Sequence, residues 1–267
     1  DPTGQGFWET FGKVLAAIVV VVAVIAAIAV VVYLIASVGW LILAGAAIGA
    51  LIGGIAGGWE GAAMGAMMGA TIGINFGVGG PLGIITFLGV FPGIRKQEWY
   101  HSLAGWSSWV MPASWPGHIM GLGVFLGNGI AHIFGSDKQI ESVKFDWKHG
   151  QIMTAGGEYG GDPFPWFKSG GPSHSLGGFA FWSNDTWKEG GKSWKGIEDT
   201  VDPGRGYAHE TGHMLSNAQF GFWQGVVQAI ENLTTSSHDD RFFEKIAQSN
   251  VPEADRDPGD QVIPFWT

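Results

Sequence analysis

Five consecutive residues carry the clearest chemistry in the chain: His209-Glu210-Thr211-Gly212-His213. On a helix, positions four apart share one face, so the two imidazoles point the same way. Two neutral imidazoles at that spacing can grip one Zn2+ ion, and Glu210 can reach a metal-held water as general base. Zinc lowers the pKa of such a water to roughly 7, so a carboxylate can direct it at a peptide carbonyl. The H-E-x-x-H spacing therefore predicts a zinc-dependent endopeptidase. Its flanks agree. Residues 202–207 (DPGRGY) read as a loop leading in, and Met214, Leu215, Ala218 and Phe220 continue an apolar helical pattern.

Tetrahedral zinc needs a third protein donor. The longer spacing with Gly at 216 and His at 219 is absent, because the chain has Ser216 and Gln219. That leaves a downstream carboxylate or His. Glu244 in FFEKIA and Glu231 in QAIEN both sit in helical patterns, and a Glu on a second, crossing helix gives a His2Glu site. Glu244 is placed first and Glu231 second, followed by His238, Asp239 and Asp240; a carboxylate that does not ligate would hold a ligand imidazole or sit in solvent. His238 and Tyr207 are candidate donors to the transition-state oxyanion.

These residues need a scaffold, and the chain supplies two unlike halves. Residues 1–136 contain three basic and four acidic residues, for a net charge of −1; residues 137–267 contain eleven and nineteen, for a net charge of −8. The first half is expected to be a helical membrane or translocation region, and the second a small acidic α+β domain of zincin-like fold. The acidity excludes nucleic acid as a partner, since phosphate contacts need Lys and Arg. The absence of cysteine excludes disulfides and thiolate chemistry.

No charge occurs between Val14 and Trp59. Residues 14–36 would span about 35 Å as a helix, enough for a hydrocarbon core of roughly 30 Å. Then Gly45, Gly49, Gly53, Gly57, Gly61, Gly65, Gly69, Gly73 and Gly77 recur at every fourth position, a spacing that lets helix backbones approach closely. Such a stripe drifts by about 40° per step on a 3.6-residue helix, which argues for two helices. A break at Gly53-Gly54 or at Gly57-Gly58, with Trp59 and Glu60 polar at the turn, makes a hairpin of structural or pore-forming use. Residues 61–94 form a third apolar stretch interrupted at Gly79-Gly80-Pro81. Arg95, Lys96 and Glu98 then mark an interface, and Trp99, Tyr100, Trp106, Trp109 and Trp115 suit the headgroup level. Residues 118–134 are the last candidate span. Four membrane helices are expected, within a range of three to five.

After a boundary at residues 135–138, Val143, Phe145 and Trp147 alternate with Lys144 and Asp146, the period of a half-buried strand. Residues 148–150 turn and 151–154 return, making a hairpin. Residues 156–175 read as loop, with Trp166 and Phe167 as anchors, and 177–182 as another strand. An edge strand beside the active helix would let a substrate peptide add to the sheet.

The opening Asp1-Pro2-Thr3-Gly4 with Gly6-Phe7-Trp8, followed by a long Gly/Ala membrane region, resembles the C-terminal toxin region of bacterial Rhs/YD-repeat polymorphic toxins. There a DPxG-type motif marks the junction between a shell-forming core and the effector cut from it. Phe145-Asp146-Trp147-Lys148, HETGH and Phe243-Glu244-Lys245-Ile246-Ala247 are similar to the gluzincin-like metallopeptidase modules of such toxins, in which a Glu in an E-x-x-A helix is the third ligand; the similarity adds weight to Glu244. The resemblance implies a secreted effector that inserts into a target bacterial membrane, an Rhs precursor shell, a protein substrate and a cognate immunity protein. The lack of an initiator Met and of a basic n-region before the apolar run fits release from a precursor. Two other readings stand beside it. One is a pore-forming toxin that depolarises membranes independently of zinc. The other is a resident integral-membrane zinc peptidase.

Overall fold

The computed structural model describes residues 5–134, 140–156, 173–200, 205–234 and 241–249. Within them the chain is mostly helical, with one small mixed sheet, an α+β layout.

Helix α1 (Gln5–Gly79) is apolar on every side, so no hydrophobic stripe selects a buried face. The glycines do. Backbone dihedrals leave the helical region at Val38 and again at Gly57 and Gly58, where Gly58 has φ +61°. The first is a bend; the second reverses the chain, so α1 consists of a long arm (5–56) and a short arm (59–79). Of the two expected break points, the chain uses the later one. Gly45 faces Gly69, Gly49 faces Gly65 and Gly53 faces Gly61, and a Cβ on any of them would fall on the opposite carbonyl oxygen. Only glycine lets the arms meet this closely. Trp59 and Glu60 sit exposed at the tip. Among the described residues one helical stretch, Gly6–Leu88, is long and apolar enough to cross a membrane.

The third apolar stretch is broken. After a 3-10 turn at Gly80–Leu82 come the short helices α2 (Gly83–Leu88) and α3 (Pro92–Arg95), then α4 (Glu98–Ser108). Helix α5 (Trp115–Ile133) lies along the long arm, with Gly123 against Ala23 and Gly127 against Val20. In the expected headgroup belt around α4, Trp99 and Trp106 are exposed, and several members also bond to the rest of the chain. Trp106 Nε1 donates to the Trp147 carbonyl at 2.9 Å and Trp109 Nε1 to that of Gly150 at 2.7 Å, while Tyr100 and Arg95 are buried. The two indole bonds tie the end of α4 to residues 147–150, and the Tyr100 hydroxyl donates to the Ile85 carbonyl of α2 at 3.1 Å.

The sheet runs β1 (Ile140–Asp146), β2 (Gln151–Gly156), β4 (Phe179–Trp182), β3 (Ser173–Leu176) in spatial order. Pairs β1–β2 and β3–β4 are antiparallel and β2–β4 parallel, with Phe145 opposite Ile152 and His174 opposite Phe181. The expected alternation in β1 is present but faces the other way. Val143 and Trp147 are exposed, and Asp146 is buried. Outside, Phe145, Trp147 and Trp106 form a cluster of tilted and edge-on rings with centroids 4.3–5.5 Å apart. Residues 173–175, read as loop, form the edge strand β3 with Leu176, because the tight turn at Gly177-Gly178 folds them onto β4. Trp166 and Phe167 lie outside the described residues.

Helices α6 (Asn184–Glu189) and α7 (Trp194–Thr200) close one side of the sheet, burying Trp182, Trp187 and Ile197 together. Helix α8 (Arg205–Phe220) carries the motif and packs between α4, β3 and the hairpin, followed by α9 (Trp223–Thr234) and α10 (Phe242–Gln248). Packing is continuous across residue 136. Met64 and Met68 of the short arm share a core with Phe220, Phe243 and Ile246, and Tyr100 and Ala104 share one with Met214, Leu215 and Ala218. Each such Phe or Leu contributes about 1.5–3 kcal/mol by leaving water.

Candidate metal centre

Helix α8 begins at Arg205, so Tyr207, expected in the loop, lies in its first turn. The helix ends at Phe220, where Gly221 turns left-handed (φ +57°) and its N–H returns to the Asn217 carbonyl at 2.9 Å. A Cβ on Gly221 would meet the backbone of Ala113. This close stop fixes the axial position of the motif.

The α8 face bearing His209 and His213 meets the α10 face bearing Glu244 and Gln248. Each is an i, i+4 pair, so each helix presents two side chains to the other. His213 Nε2 and His209 Nε2 are 3.1 Å apart, and Glu244 Oε2 lies 3.2 Å from each. A tetrahedral ion with bonds of ~2.0–2.1 Å holds its donors roughly 3.3 Å apart. The three atoms form nearly that triangle, so the residues fit Zn2+. They are the single cluster of three metal-ligating side chains among the described residues. His209 Nδ1 meets Gln248 Oε1 at 3.1 Å; with the N–H on Nδ1, Nε2 is left as the ligand atom.

The electrostatics agree. Burial disfavours charge on His213, yet the Glu244 carboxylate beside it, aided by Glu210, pushes its pKa up to about 9. Burial likewise opposes charge on Glu244, but His213 and His209 hold its carboxyl well below the usual range. The cluster keeps a proton where a cation fits. Metal and proton compete for such a site.

Glu210 is 4% exposed and faces the sheet, where both its oxygens accept hydrogen bonds from β3: Ser173 Oγ donates to Oε1 at 2.5 Å, and Ser175 Oγ donates to Oε2.

Of the sequence-predicted residues, His209, His213 and Glu244 come together, with Glu210 on the same helix turn. Glu231 does not join them. Its Oε1 accepts from the Phe242 N–H at 2.7 Å, capping α10, so it positions the helix that carries Glu244. Tyr207 is turned to another task. Its hydroxyl donates to Asp146 Oδ2 at 2.5 Å, and the same oxygen lies 2.6 Å from His149 Nδ1. In this structure that proton is directed at a buried carboxylate and not at the His209–His213–Glu244 cluster. His238, Asp239 and Asp240 lie outside the described residues. Gln248, Ser173 and Ser175 went unnoticed in sequence. The Glu244-x-x-x-Gln248 spacing could have signalled the first, whereas nothing local marks two serines in a Gly-rich stretch.

Comparison with protein families, curated proteins and solved structures finds no match to this chain.

Proposed function

We propose that the chain is a membrane-inserting zinc endopeptidase that acts as an interbacterial toxin. One observation carries the enzymatic part: the two α8 imidazoles and the α10 carboxylate converge with donor spacings of 3.1–3.2 Å, with Glu210 beside the first ligand. His209, His213 and Glu244 would hold Zn2+, and the ion when bound supplies Lewis acidity and a water of lowered pKa. Glu210 would take the proton of the attacking water and pass it to the leaving amine. The edge strand β3 beside α8 is the layout expected of a small zincin-like domain, where a substrate strand can add.

The delivery part rests on the uncharged run and on the apolar side chains that α1 leaves exposed, among them Leu43, Leu51, Ile55 and Trp59. In this reading the hairpin inserts into the membrane of a target cell. The chain would be released from an Rhs-type precursor, and its producer protected by an immunity protein. The junction-like opening residues support that assignment by resemblance.

A second reading, a zinc-independent pore, is favoured by the same hairpin. An apolar groove of about 470 Å³ runs along the two arms, lined by Ile48, Ile52, Met64 and Met68 and, from the segment after them, by Phe87 and Val90. Expressing the wild type and Glu210→Gln in bacteria separates the two. If the variant, at equal protein level and zinc content, no longer stops growth, proteolysis is the toxic act. If it still kills and depolarises, the pore reading replaces the peptidase reading.

A further inference from the structure

The general base proposed above is held by the sheet and not by its own helix. Ser173 and Ser175 lie two apart on β3, so their side chains leave the same face of the strand. That face looks onto α8, and the two hydroxyls take one oxygen each of Glu210. Each carboxylate oxygen has two acceptor sites, so each keeps one for a water. A side chain gripped at both oxygens cannot rotate about its last bond.

This grip matters because of what lies beside it. Glu210 follows the ligand His209 directly and precedes His213 by three positions on α8, so it stands next to the residues of the three-donor cluster. A free carboxylate beside a dication is drawn into its coordination shell, where it displaces the water and can no longer accept a proton from it. The two hydroxyl contacts from β3 oppose that movement.

We infer that Ser173 and Ser175 are positioning residues that keep Glu210 off the metal and turned to water. The inference rests on the zinc-peptidase reading.

The test uses the full chain loaded with Co2+, whose visible absorption distinguishes a four-coordinate from a five-coordinate site. The wild type should show the strong absorption of four-coordinate cobalt. Ser173→Ala/Ser175→Ala should lose most of it as Glu210 becomes a further ligand, and adding Glu210→Ala to that variant should restore it. Ser173→Thr/Ser175→Thr, which keeps both hydroxyls, should match the wild type in spectrum and in growth arrest. The single Ala variants should show part of the loss, and they decide the matter if the double variant does not fold. A double or single Ala series with the wild-type spectrum overturns the inference. A wild-type chain that takes up no Co2+ overturns the metal reading itself, and this inference with it.

Discussion

Replacing Glu244 and Glu231 by Gln, one at a time, sets the two sequence candidates for the third ligand against each other. In the structure Glu244 Oε2 completes the donor triangle, whereas Glu231 Oε1 caps the N-terminus of α10. Structural zinc sites bind with about 10–16 kcal/mol from four protein ligands, so one ligand is worth roughly 2.5–4 kcal/mol, or about 10²–10³ in affinity. Glu244→Gln should weaken Zn2+ binding by about that factor. Gln248→Ala, which removes the partner of His209 Nδ1 at 3.1 Å, should cost about 10–100-fold, the usual weight of a group that orients a ligand. Glu231→Gln keeps an acceptor oxygen for the Phe242 N–H, so zinc affinity should hold while stability falls by at most about 1 kcal/mol. Competition against a chromophoric chelator at fixed pH measures all three. The pH must be held because His213, with its pKa near 9, has to lose a proton before it can ligate. An affinity loss confined to Glu231→Gln, with Glu244→Gln unchanged, would refute the assignment.

Other outcomes follow from single contacts. The chain has no cysteine, and a Cβ on Gly54 would lie 3.4 Å from that of Ala62. Gly54→Cys/Ala62→Cys should therefore oxidise to an intramolecular disulfide, near the ~3.5–4.5 Å that such bonds require; a failure to close in detergent or vesicles would show that the chain does not reverse at Gly57-Gly58. Tyr207→Phe removes the hydroxyl bound to Asp146, so stability should fall by about 1–2 kcal/mol with zinc affinity unchanged, read by denaturant unfolding. Burial raises the Asp146 carboxyl pKa, but hydrogen bonds from His149 and Tyr207 more than offset it and hold the pKa below its ordinary value. Its stabilisation is therefore present above the ordinary carboxylate pKa and lost as pH falls through the folded value. The stability gap between wild type and Asp146→Asn should accordingly be widest near neutral pH and close in acid. Gly49→Leu puts a side chain onto the Gly65 carbonyl, and proteolysis of the hairpin should become faster in that variant.

HETGH, the four-residue glycine spacing and the charge-free run are local facts. Helical period alone puts His209 and His213 on one face, and a Cβ-free stripe alone permits two backbones to touch, so the sequence determined both the candidate ligands and the existence of a hairpin. Which glycine pair reverses the chain was open, because Gly53-Gly54 and Gly57-Gly58 are equally permissive; facing pairs centred on residue 57 decided it. The choice between Glu244 and Glu231 was likewise tertiary. Both lie on helices, and only the way α10 crosses α8 brings one carboxylate to the imidazoles and leaves the other at a helix end. Alternation showed that β1 is a strand but not which face is inward. The face with Asp146 won because that carboxylate meets His149 and Tyr207, while Phe145 and Trp147 found Trp106 outside. The serines that hold Glu210 are 35–37 residues away from it in the chain. No local pattern encodes such a contact, because it exists only once β3 has folded onto β4 and the sheet onto α8.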